Sequence, residues 1–317
     1  MLSRSLEQLS GWAALLFRAL MRILGPVMFV GANVLTLLVI WLFMFRMLPR
    51  QLPEAPLSYA FHCLFVLWLA PNIMCNYWAC AITPPGSPER ESASAEAQQL
   101  LGAEGGGASL VLDPGVSYKF CASCSCVRPP RAHHCSVLNR CVYHFDHFCP
   151  WMCTTVGYGN YRYFVLFLLY MTLGALYIVL YTLADLLHMS PAERSHISLQ
   201  RMFQTNLLLT SQSGSLTAAT FCFSVGLSAL LSAGSLLAWH AYLALSNQTS
   251  VEFYENLTRA FVAQQHGLVF RNAFDEGWRK NMRRVFGDAP WYRHLLPHNS
   301  PPPPPRYAFV LDAAEYA

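Results

Sequence analysis

Residues 23–45, ILGPVMFVGANVLTLLVIWLFMF, contain no charged side chain. Neither do residues 163–184, YFVLFLLYMTLGALYIVLYTLA. A third uncharged stretch lies between Glu54 and Glu89, with its apolar core near 58–82. The fourth lies between Arg201 and Glu252 and is densest at about 217–246. Each exceeds the ~20 apolar residues that carry a helix across ~30 Å of hydrocarbon, where every backbone amide must be satisfied within the segment. Only 12% of the 317 residues are charged, against about 25% in soluble domains. The fold class expected is an all-α polytopic membrane protein with transmembrane helices at 23–47, 58–82, 162–187 and 217–246. An ordinary soluble enzyme is excluded.

The N-terminus does not read as a cleaved signal, because Arg18 and Arg22 interrupt its apolar run and no small-residue cleavage site follows. Leu2, Leu6, Leu9, Ala13, Leu16 and Leu20 fall at helical spacing, so residues 1–22 form either an amphipathic segment in the interface or a plain juxtamembrane helix. With four spans, this segment, the loop after 82 and the region from 247 onward share one side. Arg46, Arg50, Arg194 and Arg201 are the basic residues of the opposite loops, and the other 17 of 21 Lys and Arg lie on the shared side. Basic residues favour the cytosolic face. Both termini and the long loop are therefore expected in the cytosol, and the acceptor sequences at Asn247 and Asn256 should stay unglycosylated.

Reduced thiols are the rule in the cytosol, which gives the cysteines their meaning. Cys121, Cys124, Cys126, Cys135, Cys141, Cys149 and Cys153 are seven of the eleven, and they crowd into one part of the long loop. Residues 83–117, rich in Ser, Ala, Gly and Glu, read as a linker, and residues 118–161 as a small compact domain. A module of about 40 residues buries too little apolar surface to fold alone, so a metal staple is expected. Cys121-x2-Cys124 followed by His134 and Cys141 offers three thiolates and one imidazole, the closed tetrahedral set of a structural zinc site.

Candidate chemistry follows at once. Cys149 is nucleophilic only as a thiolate. His147 is placed to take its proton, and Asp146 to orient that imidazole. On spacing alone His147 could equally be a metal ligand. Arg128, Arg131 and Arg140 are candidates for binding phosphate, with Arg131 equally suited to bracing the fold.

The stretch CASCSCVRPPRAHHCSVLNRCVYHFDHFCPWMCTTVGYGNYRYF, Cys121 to Phe164, resembles the cysteine-rich domain of the DHHC protein S-acyltransferases. That pattern reads C-x2-C-x3-[KR]-P-x-R-x2-H-C-x2-C-x2-C-x4-D-H-H-C-P-W-x2-N-C-x-G-x2-N. Thr83-Pro84-Pro85-Gly86 stands where the family has Asp-Pro-Gly, and Thr249-Ser250-Val251-Glu252 resembles its Thr-Thr-x-Glu. NAFDEGWRKNMRRVFG resembles its C-terminal region, with Asn281 at the structural asparagine. The resemblance implies a palmitoyltransferase: Cys149 takes a long acyl chain from acyl-CoA as a thioester, then passes it to cytosolic cysteines of membrane-associated protein substrates. It also implies an endomembrane location in ER or Golgi, a tail held in the bilayer among the spans, and Ser250 close to Asp146. No nucleic-acid partner is expected.

The same resemblance locates the departures. A second zinc site would use Cys135 and the positions held here by Leu138, Phe148 and Thr155, three of which cannot ligate. Leu138 and Phe148 are expected to pack as a hydrophobic plug instead. Cys126, His133, His144 and Cys153 lie nearby, but their spacing matches no pattern for rebuilding a second site. Cys153-Thr154-Thr155 also replaces Asn-Asn-Cys. The competing reading is a silent zinc-binding membrane scaffold. Its support is the eroded site and the proline-rich tail of residues 247–317, where Pro301–Arg306 fits an SH3 or WW ligand. Passive acylation by another enzyme is a third reading.

Overall fold

The structure, a computed structural model, describes residues 2–51, 55–88, 109–113, 116–187 and 213–297. Much of the expected linker and all of Pro301–Arg306 lie outside the described residues.

Among the described residues, four helices are long and apolar enough to cross a membrane: Leu15–Met47, Pro56–Ile82, Tyr161–Ala184 and Thr217–Leu245. The first belongs to a single helix, α1 (Leu2–Leu42), that runs without a break through the position where the sequence suggested a boundary at 22. It ends in one π-helical turn, Phe43–Met47, which buries Phe43 and Met47, and a short α2 (Leu48–Gln51). Helix α3 (Pro56–Ile82) starts on Pro56, where the absent N–H is no loss, and stops before Pro84, which disfavours helix in the residue ahead of it. Helices α4 (Tyr161–Leu187) and α5 (Ser213–Leu245) form the closest pair. Gly226 permits this approach, since a Cβ there would meet Ile178 Cγ2 at 2.5 Å. Between helices in lipid, such close backbone contact replaces the hydrophobic drive available in water.

The chain is mostly helical, and a cysteine-rich module sits between the second and third spans. Within it are short strands too brief to read from sequence. Strands β1 (Ser109–Asp113), β2 (Val116–Cys121) and β3 (Cys126–Arg128) form one antiparallel sheet in the order β1-β2-β3. Strands β4 (Ala132–Cys135) and β5 (Arg140–Tyr143) form a second, and β6 (His147–Cys149) and β7 (Thr154–Val156) a third. Left-handed residues close the hairpins: Ser125 (φ 50), Asn139 (φ 53) and Cys153 (φ 52).

Polar side chains bind the module to the bundle. Asn160 Nδ2 donates to the carbonyls of Cys80 (3.1 Å) and Thr155 (2.9 Å), while its Oδ1 accepts from Gly157 N. Gly159 N donates to Pro85 O and Tyr143 N to Gly86 O, so Thr83–Gly86 is stitched along the module. After the fourth span come α6 (Ser250–Gln265) and α7 (Trp278–Phe286). Asn281 Nδ2 donates to Leu245 O at 2.6 Å and fixes α7 to the end of α5. A 3-10 turn, Trp291–Leu295, returns to the bundle, where Trp68 Nε1 and Asn72 Nδ2 donate to Leu295 O.

Candidate active site and metal centre

Two hairpins bring the predicted metal ligands together. Cys121 and Cys126 face each other across the β2–β3 turn, which places Cys124 at its tip. Strands β4 and β5 set His134 directly opposite Cys141. The ligand atoms of Cys121, Cys124, His134 and Cys141 all lie within 4.8 Å of one another, with Cys124 Sγ 3.2 Å from His134 Nδ1. This group can hold a metal ion. The donor set fits one: the Cys141 thiol is held far up by contact with Cys126, by burial and by contact with Cys121, a repulsion among would-be thiolates that a cation reverses. Cys126 itself lies 4.0 Å from Cys141 and is a neighbour of the four.

The other half of the module has different chemistry. Asp146 is 2% exposed, yet each carboxylate oxygen is answered. Oδ2 accepts from His147 Nδ1 at 2.6 Å and from Ser250 Oγ at 3.1 Å; Oδ1 accepts from Ser250 N at 2.6 Å. Because a carboxylate only accepts, Nδ1 carries the proton and Nε2 is left for the thiol. The Ser250 amide is one of the donors left free at the start of α6, so Asp146 occupies a helix N-terminus, which favours its charge. Burial would raise the Asp146 carboxyl, but His147 and the Ser250 amide outweigh it and hold it below the usual carboxylate value. Burial would likewise lower the His147 imidazole, but the Asp146 hydrogen bond and the Cys149 thiol raise it to about 9. The imidazolium form of His147 is thereby favoured at neutral pH. The alternative of His147 as part of a metal site meets an obstacle. Asp146, His147 and His240 do lie within 4.8 Å of one another, but the carboxylate is already engaged in three hydrogen bonds, one of them from the His147 nitrogen itself.

Cys149 is buried among Tyr77, Cys80, Met152, Val156, Tyr163, Phe164 and Leu168, at the place where α3 and α4 meet the module. Tyr77 donates its hydroxyl to Trp151 O at 2.6 Å and so pins the turn after the nucleophile. Trp151 is 55% exposed at the tip of that hairpin. A cysteine–imidazole–carboxylate relay on a small ion-binding module, set against an apolar bundle, can form and hand on a thioester.

The DHHC palmitoyltransferase family model matches residues 116–257. The chain is 31% identical over 236 residues to the probable protein S-acyltransferase 12 of Arabidopsis thaliana, covering 74% of this chain and 70% of that one. This chain belongs to the DHHC palmitoyltransferase family. It is also 31% identical over 261 residues to palmitoyltransferase PFA3 of Yarrowia lipolytica, and 31% identical over 257 residues to palmitoyltransferase ZDHHC2 of Mus musculus. The matches cover 73% and 75% of this chain, and the chain spans 62% of the length of each of these two.

The four positions that the resemblance assigned to a second site, Cys135, Leu138, Phe148 and Thr155, are neighbours. Strands β6 and β7 pair Phe148 with Thr155, and Cys135 Sγ lies 3.0 Å from Thr155 Oγ1. Leu138 and Phe148 both pack on the buried cluster of Cys135, Val137 and Val142. Apolar contact and one thiol–hydroxyl bond thus stand where donors would. His133 packs its ring near Phe145, His144 near Tyr158, and Cys153 lies against Gly25. Among the described residues these groups gather into no ion-binding set with Cys126. Arg131 is buried, bonded to both Glu252 oxygens at 2.6 and 2.8 Å and to Asn247, which assigns it to the fold. Arg140 lines the cleft beside Cys124 and Cys141.

One residue beside the site escaped the sequence reading. His240, 2% exposed on α5, sits with its ring centre 5.9 Å from that of His147 and 4.8 Å from that of Phe164, and its Nδ1 lies 3.2 Å from Tyr161 OH. The signal was available: an ionisable side chain inside an apolar span is costly and marks function by default.

Proposed function

We propose that this chain is a protein S-acyltransferase that carries a long acyl group on Cys149. The observation that carries the reading is the continuous bonding of Ser250, Asp146 and His147 behind a cysteine at the head of a four-span bundle. In the first half-reaction His147 takes the Cys149 proton. The thiolate attacks the acyl-CoA carbonyl, and coenzyme A leaves and recovers the proton from the imidazolium. In the second, His147 takes the proton of an incoming protein cysteine, whose thiolate attacks the thioester and releases Cys149. The acyl tail stays among the spans throughout, so neither step has to draw it into water.

Zinc on Cys121, Cys124, His134 and Cys141 is the ion that this donor set favours, and its role is to hold the module's fold. We place the module and both termini in the cytosol, from the distribution of basic residues, in an endomembrane compartment. The decisive measurement incubates purified protein with palmitoyl-CoA and scores a hydroxylamine-labile adduct, beside Cys149→Ser. An adduct on the wild type that vanishes in the variant is expected, with about one zinc per chain. Folded, zinc-loaded protein that takes up no acyl group would point to the scaffold reading.

A further inference from the structure

Helix α1 turns one face toward the loop that carries Cys149. Arg18, Met21, Arg22, Gly25, Phe29 and Ala32 each stand three or four residues from another of the set, which puts them on one stripe. Arg22 donates from Nε and Nη2, both at 3.3 Å, to the carbonyl of Val137 in the turn between β4 and β5. Met21 packs on the Cys135–Val137–Val142 cluster beside Leu138 and Phe148. Gly25 is buried, and a Cβ there would lie 3.0 Å from Cys153 Sγ and 3.6 Å from Cys153 Cα. Phe29 stacks on Tyr77 at 5.0 Å and 11°, and Tyr77 in turn holds Trp151 O. Ala32 packs on the cluster that contains Cys149 and Met152.

Generic helix packing would fill such an interface with apolar side chains. Here a guanidinium is aimed at one turn carbonyl, and a glycine stands opposite the one residue of the β6–β7 turn in a left-handed conformation. A side chain at φ 52 is disfavoured and persists only where its surroundings hold it. The apolar cluster at Cys135 cannot do this alone, because burial is non-directional and fixes no carbonyl in place.

We propose that α1 is the brace of the nucleophile loop, with Arg22 and Gly25 as positioning residues for Cys149. The brace meets the module at two places: Arg22 at the β4–β5 turn, whose strands also carry His134 and Cys141, and Gly25 at the β6–β7 turn that follows Cys149. This inference rests on the acyl-transfer reading for its kinetic consequence, though not for its geometry.

The test compares the wild-type chain with Arg22→Met, Arg22→Lys, Gly25→Ala and the double variant Gly25→Ala/Cys153→Gly. Single-turnover acylation by palmitoyl-CoA, zinc content and the alkylation rate of Cys149 by iodoacetamide, followed by peptide mass spectrometry, are measured on each. A misplaced nucleophile costs up to about a hundredfold in rate. Arg22→Met and Gly25→Ala should therefore lose about 10- to 50-fold in kcat, with KM for palmitoyl-CoA within about twofold and zinc unchanged. Arg22→Lys, which keeps one donor, should fall between. The double variant should recover to within about threefold of wild type, since glycine at 153 both clears the Cβ and accepts the left-handed turn. Unchanged kcat in Arg22→Met, or a loss that comes with lost zinc, overturns the brace. Should the wild type form no adduct, the acyl-transfer reading fails by itself. Cys149 alkylation then decides the brace: a rate at least about fivefold away from wild type upholds it, and one within about twofold sinks it.

Discussion

Buried Asp146 and half-buried His147 hold opposite charges, and each depends on the other to do so. A base held above its ordinary value of about 6.5 contributes its full stabilisation below that value and loses it as pH rises through the folded value, here about 9. A carboxylate held low does the reverse, contributing above its ordinary range and losing that contribution on acidification. The pair therefore stabilises the fold most from mildly acidic to neutral pH. The melting temperatures of wild type and His147→Gln should differ most near pH 6, and the gap should close between pH 7 and 9. A gap constant to pH 10 would mean that the proton is not held by this pair. The same substitution should slow acylation about 10²- to 10⁴-fold, the usual worth of a general base. At this scale the grouping of Asp146 with His147, and of the four thiol and imidazole donors, was legible, because their spacing is local. Ser250 was reachable only through the resemblance. His240 was passed over because its neighbours in sequence are apolar, although that is the very setting that makes an imidazole informative.

Among the elements, α6 has the most to do with the site although it contributes no nucleophile. Thr249 and Glu252 close a capping box, with the Glu252 amide donating to Thr249 Oγ1 and the Thr249 amide to Glu252 Oε2. The next amide, of Ser250, is thereby free for Asp146. Glu252 also receives the buried Arg131, which stacks 4.6 Å from the ring centre of Phe274. One carboxylate thus caps the helix and locks it to the module. Removing one partner of a buried ion pair leaves the other uncompensated and costs about 3–5 kcal/mol. Glu252→Ala should lower the unfolding free energy by about that amount, read by chemical or thermal denaturation in detergent. Glu252→Gln, which keeps the shape, should cost visibly less. A loss below about 1 kcal/mol for the alanine variant would show that the bridge is not the clamp described. None of this bridge was readable from Arg131 alone, since residues 131 and 252 meet only once two spans have folded between them. Strands β3, β6 and β7 were illegible for a simpler reason: three residues are too few to show a period.

For the molecule as a whole, topology is the proposal most open to test. Asn247 and Asn256 should remain unmodified in cells, while an acceptor inserted between the first two spans, at residues 52–55, should be glycosylated. Modification at the native asparagines would invert the assignment. The four spans were legible because long uncharged runs have few other destinations. The length of α1 was not, because Arg18 and Arg22 read as the edge of a span. In the fold, Arg22 spends its donors on Val137, so a basic pair that looks like a boundary lies within one unbroken helix. The dependence of Asp146 on Ser250 also has a bearing on biosynthesis. A ribosome that has released only the first 245 residues has exposed Cys149, His147 and Asp146, yet the amide and hydroxyl that hold the carboxylate are still inside the exit tunnel. The nascent chain thus carries Asp146 with its partners unassembled, and the bonding behind His147 is complete only once the segment beyond the fourth span has emerged and docked.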